Sequence, residues 1–135
     1  MSREIDVYLA NTDDETSEEI NALFGFGSPF DQTHGFYIDG VSETTAILPP
    51  DWRTREIVRT IDVYGRTVRM VVPCPEDLIV SKLARLDEKD KVWIREYVSH
   101  YKCDLDLIKS GVRAAINIHA KASSIDMFLK SLSIR

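Results

Sequence analysis

With 135 residues, 44% apolar and 29% charged, the chain has the make-up of one globular domain and excludes a disordered or fibrous protein. Its net charge of −5 argues against a surface coated throughout by nucleic acid, while leaving room for a local basic site. Cys74 and Cys103 have neither metal-ligand spacing nor a disulfide framework, and no stretch approaches a membrane span or export leader, so two free thiols in a reducing cytoplasm are expected.

In chain order, residues 4–9 alternate polar and apolar and read as a strand. Thr12-Asp13-Asp14-Glu15 is a capping-box pattern, predicting a helix to about Phe24 with Ile20, Leu23 and Phe24 turned inward. Gly25, Gly27, Ser28 and Pro29 end it, and short strands are expected over 35–39 and 44–48. Arg53, Arg55, Arg59, Arg66 and Arg69 make the middle basic, suited either to phosphates or to neighbouring carboxylates.

Residues 57–72 read as a hairpin with Gly65-Arg66 as a type II′ loop, pairing Val63 with Val68, Asp62 with Arg69 and Ile61 with Met70. From Pro73 onward the apolar period changes from two to 3.6 residues. Helices are expected over 76–86 and 88–100, the second with Asp90, Ile94, Tyr97, Val98 and Tyr101 inward. A third should start at Asp104 and a fourth at Ser123-Ser124. The fold class is therefore α+β: a mixed β-sheet holding 4–9 and the hairpin, then a C-terminal helical cap. No linker appears, so 1–135 is read as one domain, strand-rich over 1–73 and helical over 74–135.

Three groups of residues suggest chemistry. Lys82 lies in an apolar stripe with Leu78, Ile79 and Leu86, so its ammonium either snorkels to the edge or points into a site. Asp90 extends the inward stripe of the next helix, as a cap or as a carboxylate facing a cleft. Glu4 and Asp6 alternate on one strand and project from one face, the geometry that holds Mg²⁺ against phosphates; the bland alternative is the solvated face of an edge strand. His34 reads as a hydrogen-bonding loop residue, and His100 and His119 lack metal-ligand spacing.

The strand Arg-Glu-Ile-Asp-Val (3–7) resembles the Asp-x-Asp strand of polymerase-beta-like nucleotidyltransferases, with Glu4 standing where that family more often has Asp. Three further segments resemble a bacterial nucleotidyltransferase-like family distantly related to AbiE-type toxins. They are 27–37 (Gly-Ser-Pro-Phe and Thr-His-Gly-Phe-Tyr), 40–53 (Gly-Val-Ser-Glu-Thr-Thr-Ala and Leu-Pro-Pro-Asp-Trp-Arg) and 75–91 (Pro-Glu-Asp-Leu-Ile-Val-Ser-Lys-Leu-Ala-Arg and Glu-Lys-Asp-Lys).

This resemblance implies Glu4 and Asp6 as ligands of a catalytic Mg²⁺. It implies Lys82 and Lys89 as contacts to a nucleoside triphosphate and Asp90 as a catalytic-site residue. Asp62 would be a third carboxylate, although its expected pairing with Arg69 favours a structural role. Relatives carry a helix and a glycine-bearing phosphate loop ahead of the strand at which this sequence begins. The expectation is therefore a Mg²⁺-dependent nucleotidyltransferase-like protein that moves a nucleotidyl group from a nucleoside triphosphate to an acceptor, with weak binding and little transfer by this chain alone, or a degenerate, non-catalytic nucleotide- or protein-binding module. A strand edge left open in this way would suit a homodimer or a partner protein.

Overall fold

A computed structural model of the protein describes residues 3–10, 14–42, 44–116 and 121–132. It has the expected α+β composition, and no described helix is long and apolar enough to cross a membrane. The chain groups into two compact units, Met1–Ala46 and Ile47–Arg135.

In the first unit, strand β1 (Glu4–Val7) pairs in parallel with β2 (Tyr37–Gly40) through the register Glu4↔Tyr37 and Asp6↔Asp39. A parallel pair needs a crossover, supplied here by helices α1 (Asp14–Phe24) and α2 (Pro29–His34). Helix α2 replaces what reads as loop in the sequence, and its signals are local. Ser28 Oγ accepts the Asp31 amide at 3.2 Å, Pro29 fills the first turn, and Gly35 ends it at φ 75°.

Where α1 crosses β2, Gly40 leaves no room for a side chain: a Cβ would lie 2.7 Å from the Ser17 carbonyl oxygen. Asn21 locks the crossing, its Oδ1 accepting the Gly40 amide at 2.7 Å. Leu23, expected inward, is 62% exposed. Phe24 instead meets Phe30 edge-on at 5.4 Å, and Phe30 also packs on His34 and Phe36. The capping residue Thr12 and His119 lie outside the described residues.

The second unit opens on a 3₁₀ turn (Trp52–Arg55) and the antiparallel hairpin β3 (Ile57–Val63) and β4 (Arg66–Val72). Two expectations are corrected here. Among the described residues, strand β1 pairs with β2 and the hairpin strands pair with each other, as two two-stranded sheets in place of one mixed sheet. The hairpin register is also different: Val63 faces Arg66, Asp62 faces Thr67 and Ile61 faces Val68. The loop is Tyr64-Gly65, with φ of 49° and 74°, the two left-handed residues of a type I′ turn. Asp62 consequently accepts Thr67 Oγ1 at 3.0 Å, and Arg69 pairs with Glu56 at 2.8 Å. Residues 44–48 form a turn and coil where a strand was expected.

Among the described residues four helices follow: α3 (Pro75–Arg85), α4 (Glu88–His100), α5 (Leu105–Ala115) and α6 (Ala122–Ser131). The first three starts obey the sequence signals, whereas α6 starts at Ala122, just before the expected Ser123-Ser124, with no side-chain cap. Pro75 opens α3, Asp87 caps α4 by accepting the Asp90 amide, and Asp104 caps α5 by accepting the amides of Asp106 and Leu107. Their apolar stripes meet in one core built on Ile79, Leu83, Ile94, Ile108, Ile125 and Phe128. Tyr101, at the end of the expected α4 stripe, is 60% exposed. Gly111 lets α5 approach closely, since a Cβ there would lie 2.8 Å from Val80 Cγ2. Both cysteines are free and buried.

Candidate metal centre and the lysine–aspartate pair

Parallel pairing in register places the alternate residues of β1 and β2 on one shared face. Glu4 and Asp6 project from β1, and Tyr37 and Asp39 from β2 beside them. One ligand oxygen from each of Glu4, Asp6 and Asp39 lies within 4.8 Å of the other two. Glu4 and Asp39 are half-buried and Asp6 is exposed, so the group is anchored by the strands and open to solvent on one side.

Neighbouring residues fix this face. Arg3 donates from Nη2 to the buried Asp31 at 2.7 Å and from Nε to the Gly35 carbonyl at 2.8 Å. The same Asp31 carboxylate accepts the Gly27 amide at 3.0 Å. Asp31 thus ties the start of β1 to α2, immediately before Glu4. Partial burial, the charges of Glu4 and Asp39 and a hydrogen bond to Glu4 raise the Tyr37 phenol above its ordinary pKa. It stays protonated at neutral pH and orients Glu4.

Three carboxylate oxygens at this spacing fit a hard divalent cation. Mg²⁺ and Ca²⁺ take oxygen ligands at about 2.0–2.6 Å, so donors on opposite sides of one ion stand roughly 4–5 Å apart. Charge composition favours the same conclusion. Residues 1–46 contain ten Asp and Glu against a single cation, Arg3, which already bonds Asp31. A polyphosphate would be repelled from this unit without a metal to bridge it.

Of the residues singled out in the sequence, Glu4 and Asp6 are brought together. Asp39 is the member that sequence reading missed. Its strand was anticipated; the parallel register that sets Asp39 beside Asp6 was not. Asp62, considered as a third carboxylate, sits in the hairpin of the other unit, bonded to Thr67.

Lys82, Lys89 and Asp90 belong to the second unit. Asp90 is 1% exposed, and Arg85 grips it with a two-pronged bond, Nε to Oδ2 at 2.7 Å and Nη2 to Oδ1 at 2.8 Å. Lys82 Nζ stands 3.5 Å from Asp90 Oδ1 and 4.9 Å from the centre of the Trp93 ring. Burial opposes the charged form of Asp90, but the bonds and charge of Arg85 and the charge of Lys82 prevail, holding it down at about 2. Lys89 is exposed on the first turn of α4.

A second cluster was not anticipated as such. Arg55 bonds Asp51 at 2.7 and 3.0 Å and the buried Asp77 at 2.8 and 3.2 Å, while the Cys74 thiol donates to Asp77 at 3.1 Å. These contacts pin the 3₁₀ turn to the first turn of α3.

Searches of curated proteins and of solved structures return no match. Comparison with protein families matches residues 1–130 to the family described as "Nucleotidyltransferase of unknown function (DUF6036)". The match spans both compact units, including the acid-bearing strands and the helices carrying Lys82 and Asp90, and this chain therefore belongs to that nucleotidyltransferase family.

Proposed function

We propose that the protein is a Mg²⁺-dependent nucleotidyltransferase that moves a nucleotidyl group from a nucleoside triphosphate to an acceptor. The observation that carries this reading is the convergence of Glu4, Asp6 and Asp39 on one face of a parallel strand pair. In the transfer, an acceptor hydroxyl oxygen attacks the α-phosphorus and gives up its proton to solvent, the bond from the α-phosphorus to the bridging oxygen breaks, and pyrophosphate leaves. Glu4, Asp6 and Asp39 would hold the cation, which would neutralise charge on the transferring phosphate.

The chain's own residues supply positioning. Tyr37 orients Glu4 through its hydrogen bond, and the Arg3–Asp31 pair fixes the start of the strand. Lys82 and Lys89 enter as phosphate contacts by family resemblance. Asp90 acts as a positioning residue, holding Lys82 through their ion pair.

The test is incubation with α-labelled nucleoside triphosphates, Mg²⁺ and a pool of RNA and protein acceptors. Label should appear on an acceptor and fall roughly a hundredfold or more in Asp6→Ala and Asp39→Asn. Transfer that survives either change would overturn the reading. Metal-dependent nucleotide binding without transfer would make the chain a non-catalytic binding module.

A further inference from the structure

The basic middle of the chain plays no part in the site above. Residues 52–72 carry Arg53, Arg55, Arg59, Arg66 and Arg69 against only Glu56 and Asp62, a net charge of +3 in a chain of −5. Every cation there is arginine, whose planar fork suits phosphates and whose face suits aromatic rings and bases.

The structure separates internal from displayed charge. Arg55 is engaged by Asp51 and Asp77. Arg53 and Arg69 are largely exposed, and both pair with the carboxylate of Glu56, at 3.6 and 2.8 Å. Arg53 also lies over the Trp52 ring at 4.6 Å. Arg59 and Arg66 fall on the opposite hairpin face, among Ile57, Ile61, Val63, Val68, Met70 and Val72, side chains 37–43% exposed.

At the tip, Tyr64 is fully exposed and held at φ 49°. An L-residue with a bulky side chain is strained in that conformation, which Asn or Gly adopts readily. An aromatic ring is thus displayed, under backbone strain, between strands rich in arginine.

We propose that the β3–β4 hairpin binds single-stranded nucleic acid, with Tyr64 stacking on an unpaired base and Arg59 and Arg66, which share one hairpin face, meeting phosphates. Stacking requires a base released from a duplex, which selects single strands. The nucleotidyltransferase reading is needed only to make the bound strand the acceptor. An apolar hairpin face would also suit a second copy, but face-to-face pairing would bring the Arg59 and Arg66 of one chain against those of the other. A polyanion complements the same charges.

The experiment is fluorescence anisotropy of the full chain with labelled oligouridine and oligothymidine of about 20 nucleotides, in EDTA and over roughly 20–200 mM KCl. Binding should weaken with salt, at a log–log slope of about −0.7 for each phosphate contacted. Arg59→Ala with Arg66→Ala should make that slope shallower by about 1.4. Tyr64→Asn should weaken binding about tenfold while keeping or raising the melting temperature, because Asn-Gly suits the turn.

A purely structural role for Tyr64 would move the melting temperature and leave affinity unchanged. That result, or no binding by folded protein at the lowest salt, would overturn the proposal. A two-chain assembly in sedimentation without any nucleic acid, tightened by the arginine changes, would overturn it too and mark a protein interface. Since neither metal nor nucleotide is present, Asp39→Asn should bind the oligonucleotides like the parent. Loss of transfer and loss of strand binding are therefore separable.

Discussion

Asp90 carries a buried negative charge between two helices, and its surroundings set a pH dependence. Its carboxyl is held at about 2 in the folded chain, against about 3.9 when unfolded. A folded pKa below the unfolded one gives stability that is present above pH ~4 and lost as pH falls through ~2. The difference corresponds to about 2–3 kcal/mol. Thermal melts from neutral pH down to ~2 should show Asp90→Asn less stable by that order at neutral pH, with the gap closing in acid. A constant gap would show that Arg85 and Lys82 do not set this charge.

The two thiols make a second prediction at the same scale. Burial, chiefly, raises both Cys74 and Cys103, so a disulfide reagent should modify them slowly in the folded chain and rapidly in denaturant. Rapid modification under native conditions would place one of them at the surface.

At the scale of elements, Gly40 joins packing to the candidate metal centre. In Gly40→Ala the new Cβ meets Ser17 backbone atoms at 2.7 and 2.9 Å, so backbone rather than a side chain must move. Overpacking of this kind costs about 1–3 kcal/mol. Because Asp39 precedes Gly40, metal affinity should fall with stability. A melt and a Mn²⁺ titration on the same sample check both, and an unchanged pair of values would show that α1 and β2 can separate freely.

Legibility also varied by element, for physical reasons. The helices of the second unit were legible because capping residues and apolar stripes are local: Pro75, Asp87 and Asp104 stand at their starts. Helix α2 has equally local signals in Ser28, Pro29 and Gly35, but six residues are too few to show a period. The hairpin was recognised with its register displaced. Glycine fits either loop position, and the tyrosine that takes the other left-handed place is a residue that local preference argues against. Asp39 escaped notice because strand pairing is non-local: no spacing in the sequence says that β2 lies beside β1, or in which register.

For the whole molecule, charge divides along the chain as sharply as structure does. Residues 1–46 hold ten acids and one cation, whereas residues 47–135 hold sixteen cations and twelve acids. The acidic unit is suited to a divalent cation and the basic one to phosphates, the two kinds of charge that nucleotidyl transfer must manage. Membership of a nucleotidyltransferase family over residues 1–130 takes in both. The claim on which the functional reading stands is that Glu4, Asp6 and Asp39 act as one cation site. Isothermal titration with Mn²⁺ and Mg²⁺, alongside circular dichroism to confirm folding, measures it directly. The expected result is one ion per chain, with affinity reduced at least about tenfold by Asp39→Asn and the fold unchanged. Binding by folded Asp39→Asn equal to that of the parent would contradict the claim.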